Sequence, residues 1–153
     1  MAKSVTESDV LPRDGRAPSG RDLRVLHVAA VHDSGVVVNP IGANGQVYGG
    51  VVMGIGQALS EVTQLDADGR QRNPHLLDYK LVTASDTPRI DVAWIETPAE
   101  NGGPNGSKGV GEPPTVPTPG AVANAIAAVI GAHVRQLPMT PERVWVAVAG
   151  GRR

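Results

Sequence analysis

The sequence contains no cysteine and no phenylalanine, and it has only two tryptophans and two tyrosines in 153 residues. Without cysteine, the chain by itself builds no disulfide, no thiolate metal site and no iron–sulfur cluster. With aromatic residues at 3%, the aromatic stacking platforms that bind single-stranded nucleic acid are lacking. An excess of positive charge is missing too. Lys and Arg number 14 against 15 Asp and Glu, a net charge of −1, whereas a polyanion binder carries a basic excess. No stretch approaches the roughly 20 apolar residues that span a bilayer. The opening MAKSVTESDV has no apolar core of a secretory signal. A cytoplasmic chain that binds neither nucleic acid nor membrane is the expectation.

Glycine and proline are plentiful, at 19 and 13 residues. Apolar residues make up 41% of the chain and are mostly Val, Ala, Ile and Leu. The length allows one domain. A core of such small side chains, interrupted by so much Gly and Pro, is thin, which points to a piece of a larger assembly.

Residues 1–22 are polar, mixed in charge and punctuated by Pro12, Gly15, Pro18 and Gly20, the composition of a flexible arm. The body of the chain is then 23–153. From Arg24 to Val31 both alternating sets are apolar, so the segment reads as a strand buried on two faces. His32-Asp33-Ser34-Gly35 is turn chemistry, Val36–Val38 reads as a second short strand, and Asn39-Pro40 closes it. From Asn44-Gly45 the period changes. Val47, Val51, Ile55, Ala58 and Leu59 recur at helical spacing up to about Glu61, although Gly49, Gly50, Gly54 and Gly56 each cost about 1 kcal/mol in a helix. Those glycines make sense where another backbone or a bulky ligand comes close.

Residues 61–73 read as a hairpin around Asp66–Gly69, and Ile90–Ile95 as a strand. Residues 97–120 are dense in Pro and Gly, a long ordered-loop candidate of the kind that is usually functional or disordered. Thr118 with Pro119 reads as the N-cap and first position of a helix that Gly131 ends. Thr140-Pro141-Glu142 repeats that signature for a last helix. The expected fold is α+β, with mixed sheet segments, two main helices and a long Gly/Pro-rich active-site loop.

Several motifs fail on inspection. Gly54-Ile55-Gly56 lacks the third glycine of a dinucleotide fingerprint, because Leu59 stands there. The pair Gly50 and Gly54 suits close helix packing. Gly106–Gly111 lacks the Gly-Lys-Ser/Thr order of a phosphate-binding loop, although its amides can line an anion. His27, His32, His75 and His133 include no pair at helical spacing for zinc. No serine stands in a nucleophile elbow. Two polar residues remain of interest. Glu112 sits between a glycine run and Pro113-Pro114, a restrained backbone able to hold a base in place, or else a solvated loop position. Gln46 can donate and accept at once, or else cap or decorate its helix.

Four ordered blocks carry a resemblance. They are His32–Gly35 with Asn39-Pro40 and Gly45-Gln46 through Glu61; Leu77-Asp78-Tyr79-Lys80; Gly106-Ser107-Lys108-Gly109-Val110-Gly111-Glu112-Pro113-Pro114; and Asn124–Ile126 with Leu137–Val144. From about 24 to 148 the chain resembles the C-terminal part of the molybdenum-cofactor-binding catalytic subunit of the xanthine dehydrogenase and aldehyde oxidoreductase family of molybdenum hydroxylases. Residues 23–153 are then part of a larger molybdopterin-binding domain.

The resemblance implies a role for each matched residue. Glu112 falls on the general base beside the molybdenum, and Gln46 on a glutamine that hydrogen-bonds the cofactor. Asp33, Asn39, Ala43, Asn44 and Gly45 fall where bacterial members contact the pterin dinucleotide. Lys108, Gly109 and Gly111 shape the loop that carries the base. The implied cofactor is molybdenum–molybdopterin, in its cytosine dinucleotide form, with no metal ligand from this chain. The implied reaction is oxidation of an electron-poor carbon of an N-heterocycle, purine or aldehyde, with water as oxygen source.

The implied partners are a larger molybdopterin-binding chain that completes the site, an iron–sulfur subunit with 2Fe-2S clusters, an FAD subunit and a small-molecule substrate. Catalytic subunits of the family are far longer than this chain, which is expected to be either a split subunit or a fragment. The alternative to an enzyme active only with partner chains is a non-catalytic fragment that binds a dinucleotide or a partner.

Overall fold

The computed structural model describes residues 23–103 and 105–150, together with the backbone of 3–12. Its elements run β1 (Lys3–Pro12), β2 (Leu23–Asp33), α1 (Pro40–Leu59), β3 (Arg89–Trp94), α2 (Thr118–Ile130) and α3 (Pro141–Gly150). The sheet order is β1-β2-β3. β1 pairs antiparallel with β2, and β3 pairs parallel with it, so the sheet is mixed. The α+β expectation holds, with α3 as a third helix.

The arm expected over 1–22 needs correction where it is described. Lys3–Pro12 is a strand whose backbone pairs with β2 from Lys3↔Asp33 to Pro12↔Leu23. A polar, charged sequence of this kind is what an edge strand carries to resist further pairing, so composition alone does not separate it from an unstructured arm. Residues 1, 2 and 13–22 lie outside the described residues.

β2 is central because both of its backbone edges are paired. Val25, Val28, Ala30 and His32 are buried, and the residues between them are half-buried or exposed. Val25 and Val28 are three apart, so strict alternation would put them on opposite faces. A register shift resolves this: Asp9 pairs with His27 and Val10 with Val25, leaving Leu26 as the extra residue. Such a bulge lets two residues at odd spacing share one face.

Helix α1 begins four residues earlier than its apolar period suggests. Asn39 is its N-cap, in extended conformation, and its Oδ1 accepts from the Gly42 N–H at 3.1 Å, with Pro40 in the first turn. The Asn-Pro dipeptide that ends an extended segment is equally a helix start. The second short strand expected at 36–38 does not form. Next to it, Gly35 makes a single bridge to Ser107. The hairpin at 61–73 is reduced to one bridge, Leu65↔Gln71, with Asn73 buried beneath it and bonded to Val62 and Gln64.

The core gathers Val25, Val28 and Ala30 from β2 and Val47, Val51, Ile55 and Ala58 from α1. Val122 and Ile126 of α2, Met139 and Val144 complete it. Burying a Val or Ile side chain stabilises by roughly 1.5–3 kcal/mol, so packing outweighs the helix-breaking tendency of the α1 glycines. Gly50 and Gly54 are where α1 meets the loop and α2. A Cβ on Gly50 would lie 2.7 Å from Pro114 Cβ, and one on Gly54 would lie 2.5 Å from Thr118 Cβ. Thr118 is not the N-cap of α2. It is the first helical residue, fully buried, and its hydroxyl donates backwards to the Pro114 carbonyl at 2.9 Å. Gly131 ends α2 in left-handed conformation, as its position suggests.

Candidate functional site: the loop at Glu112 and the start of α1

None of the described residues of 97–117 belongs to a named helix or strand, yet hydrogen bonds to the rest of the fold hold this segment at several points. At its near end the loop crosses the exit of β2. The Lys108 N–H donates to the Ser34 carbonyl at 2.6 Å, and the Val36 N–H donates to the Gly106 carbonyl at 3.4 Å. The two backbones meet so closely that a Cβ on Gly35, whose φ is +65°, would lie 2.2 Å from Gly106 O. Only glycine suits both the conformation and the space.

Side chains reinforce this crossing. Lys108 Nζ lies 2.8 and 2.7 Å from the two carboxylate oxygens of Asp33. Asp33 also accepts from the Gly35 N–H at 3.0 Å. Both charged side chains are only 14% exposed.

At its far end the loop is fixed by packing. Pro114 and Thr115 are buried against Gly50 of α1, and the Thr115 N–H donates to the Glu112 carbonyl at 2.9 Å, forming a turn. Between these two anchors Gln46 reaches across from α1. Its Nε2 donates to the Gly111 carbonyl at 2.9 Å. The residue after that carbonyl is Glu112, which is exposed, as is Gln46.

Of the expected site residues, the fold brings together Gln46, Gly111 and Glu112, and separately Asp33 and Lys108. The others are used differently. Asn39 caps α1. The Ala43 N–H bonds to the Asn39 carbonyl at 2.9 Å. Asn44 Oδ1 accepts from Trp94 Nε1 at 2.8 Å, tying the end of β3 to the first turns of α1. A Cβ on Gly45, Gly109 or Gly111 would meet no atom of the described residues within 4 Å, so these positions open onto free space.

Three features lie outside the expected set. Trp94 is one of two tryptophans and sits at a strand end, the one sequence signal that marked it. The second is His32, its pairing partner in the sheet. His32 is 2% exposed, neither ring nitrogen has a hydrogen-bond partner among the described residues, and the ring lies 5.8 Å from that of Trp94. Burial pushes its pKa below the usual histidine value of 6.5. The third is Tyr79, in the Leu77–Lys80 block. Its hydroxyl donates to Glu61 at 3.1 Å, and that carboxylate holds the phenol above its ordinary range. Among the described residues, no group of His, Asp or Glu is arranged to hold a metal ion, and no helix is long and apolar enough to cross a membrane.

Comparison with known proteins gives this geometry its context. Residues 19–88 match the model of the molybdopterin cofactor-binding domain. The chain is 46% identical over 122 residues to the xanthine dehydrogenase molybdenum-binding subunit of Escherichia coli, covering 79% of this chain and 16% of that protein. It belongs to the xanthine dehydrogenase and aldehyde oxidoreductase family of molybdenum-binding subunits.

The nicotine 6-hydroxylase large subunit of Paenarthrobacter nicotinovorans is 37% identical, over 84% of this chain and 16% of its own length. The crystal structure of the aldehyde oxidoreductase from Desulfovibrio desulfuricans superimposes with a TM-score of 0.85 at 31% identity, covering 95% of this chain and 15% of that one. The chain thus spans about a sixth of the length of the family members it matches. These relatives are molybdenum-dependent oxidoreductases.

The residues present suit a bulky anionic group. Gln46 and Glu112 are exposed beside glycines that leave free space. The first turn of α1 carries no acidic side chain that would oppose the positive end of the helix dipole. The Asp33 carboxylate is matched by Lys108.

Proposed function

We propose that this chain forms part of the catalytic site of a molybdenum hydroxylase, active only together with the chain segments that complete it. The observation that carries this reading is the Gln46–Gly111 hydrogen bond. It couples the residue matching the family's cofactor-binding glutamine to the loop bearing the residue that matches its general base. Gln46 meets the cofactor from α1, Glu112 acts as base, and Gly45, Gly109 and Gly111 leave room for the group. Asn39, Ala43 and Asn44 shape the helix start that faces the pterin dinucleotide, in its cytosine form.

When bound, the molybdenum cofactor would activate water as the oxygen source and accept the two electrons of the oxidation. The role of this chain is to position and to move a proton. Glu112 accepts the proton released as water becomes the oxygen nucleophile. The turn at Glu112–Thr115 and Pro113-Pro114 hold its backbone still, so that little reorganisation is required at the moment of transfer. The completing chain covers the carboxylate and keeps bulk water from the proton it accepts. The reaction class is oxidation of an electron-poor carbon of an N-heterocycle, purine or aldehyde. In this reading, as the family resemblance implies, electrons leave through 2Fe-2S clusters on a partner subunit and then through an FAD subunit.

The test is metal analysis of the complex purified natively from its source through a tag on this chain, followed by a substrate screen. Stoichiometric molybdenum, a larger molybdopterin-binding chain and oxidation of one of these substrate classes are expected. A complex without molybdenum contradicts the reading.

A further inference from the structure

We infer that the Asp33–Lys108 ion pair is a latch that sets the position of Glu112, and that both residues are positioning residues rather than ligands of the cofactor. This rests on the proposed role of Glu112, but the latch itself is a property of the loop.

Three observations carry it. The first is that both carboxylate oxygens of Asp33 lie within 2.8 Å of Lys108 Nζ, with both side chains 14% exposed. Charges so shielded from water are screened much less than surface charges, and removing one leaves the other uncompensated. The second is that the pair sits where the loop backbone crosses β2, beside the bond from the Lys108 N–H to Ser34 and the bridge between Gly35 and Ser107. The ion pair therefore clamps a backbone crossing rather than an isolated surface site. The third is the composition of the loop beyond the lysine. Between Lys108 and the buried Pro114 lie Gly109, Val110, Gly111, Glu112 and Pro113. A segment with two glycines keeps a fixed shape only if its ends are fixed, and it is held at Pro114 by Gly50. Gln46 and the packing of Val110 against the core hold the middle, and Lys108 is the anchor at the upstream end.

The two opposite charges cancel, so the pair adds no net charge of its own to the site.

The experiment uses the natively purified complex with Lys108→Met, Lys108→Arg and Asp33→Asn. Molybdenum content, kcat, KM and amide hydrogen exchange over 105–112 are measured for each. The expected result is faster exchange over 105–112 in Lys108→Met and Asp33→Asn. In both, kcat falls roughly 10- to 100-fold, as for a catalytic group displaced by about 1 Å, while KM and molybdenum content stay near those of the unaltered complex. Lys108→Arg restores most of both losses.

Unchanged exchange in Lys108→Met, or loss of molybdenum in step with activity, overturns the latch. If Lys108→Met does not assemble, Asp33→Asn and Lys108→Arg carry the test, and exchange in Asp33→Asn at the unaltered rate overturns it. The exchange measurement judges the latch whatever Glu112 does, whereas retained turnover in Glu112→Gln counts against the proposed function alone.

Discussion

Gln46 Nε2 donates to the carbonyl oxygen of Gly111 across 2.9 Å, joining the first half of α1 to the peptide that precedes Glu112. The bond spans 65 positions in sequence and ends one residue from the proposed base. It fixes the orientation of the peptide plane from which the Glu112 side chain departs. A hydrogen bond reachable by solvent contributes only about 0.5–1.5 kcal/mol to stability. Its larger effect is on geometry.

Gln46→Leu keeps the size of the side chain and removes the donor. Thermal stability is expected to change little, by about 1 kcal/mol or less, while kcat falls by roughly tenfold or more from misplacement of the base. Paired unfolding and turnover measurements on the same preparation check this. A large loss of stability with little loss of kcat would make Gln46 a structural residue only.

Gly54→Val tests the contact between α1 and α2. A Cβ at Gly54 already falls 2.5 Å from Thr118 Cβ and 3.0 Å from the Thr115 carbonyl oxygen, so backbone or a buried side chain must move. Overpacking of this kind costs typically about 1–3 kcal/mol. Because the displaced residues continue from the Glu112 loop, molybdenum content of the assembled complex is expected to fall as well. Gly49→Ala is the control: its Cβ meets no atom of the described residues, and alanine is favoured over glycine within a helix by about 1 kcal/mol, so stability is expected to hold or rise. Urea midpoints with metal analysis measure both.

His32 makes stability depend on pH. Its ring is buried without a hydrogen-bond partner among the described residues, and burial holds its pKa below 6.5. The unfolded chain binds a proton near pH 6.5 that the folded chain refuses. The contribution is therefore fully present above pH 6.5 and is lost as pH falls from there through the folded pKa. For one proton the slope reaches at most about 1.4 kcal/mol per pH unit. His32→Leu is expected to flatten the limb of the stability profile between pH 6.5 and the folded pKa. Urea unfolding at a series of pH values measures it, and an unchanged slope in the variant would show that the imidazole is not the titrating group.

The sequence was readable where one local rule governs. The end of α2 at Gly131, the start of α3 at Pro141 and strand β3 all obey caps and alternation. It was misleading where two rules compete. Asn39-Pro40 serves both as the close of an extended segment and as a helix start, and the backbone chose the helix. Thr118 has the chemistry of a cap, but its hydroxyl bonds back to Pro114. Lys3–Pro12 looks like a solvated arm because edge strands are polar, and what holds it is pairing with a distant segment. In the site, Gln46 and Glu112 were legible as residue types. The Gln46–Gly111 bond, the Asp33–Lys108 pair and the Trp94–Asn44 bond were not, because each joins residues 50 or more positions apart. Only the fold brings such residues together.

The most direct measurement is steady-state turnover of the natively assembled complex carrying Glu112→Gln, with molybdenum quantified in the same sample. The amide keeps the shape of the side chain and cannot accept a proton in the way a carboxylate does. Turnover is expected to fall by several orders of magnitude, roughly 10²–10⁴-fold or more, with molybdenum content near that of the unaltered complex. Turnover near the unaltered rate, with the metal fully present, would remove Glu112 from the chemistry.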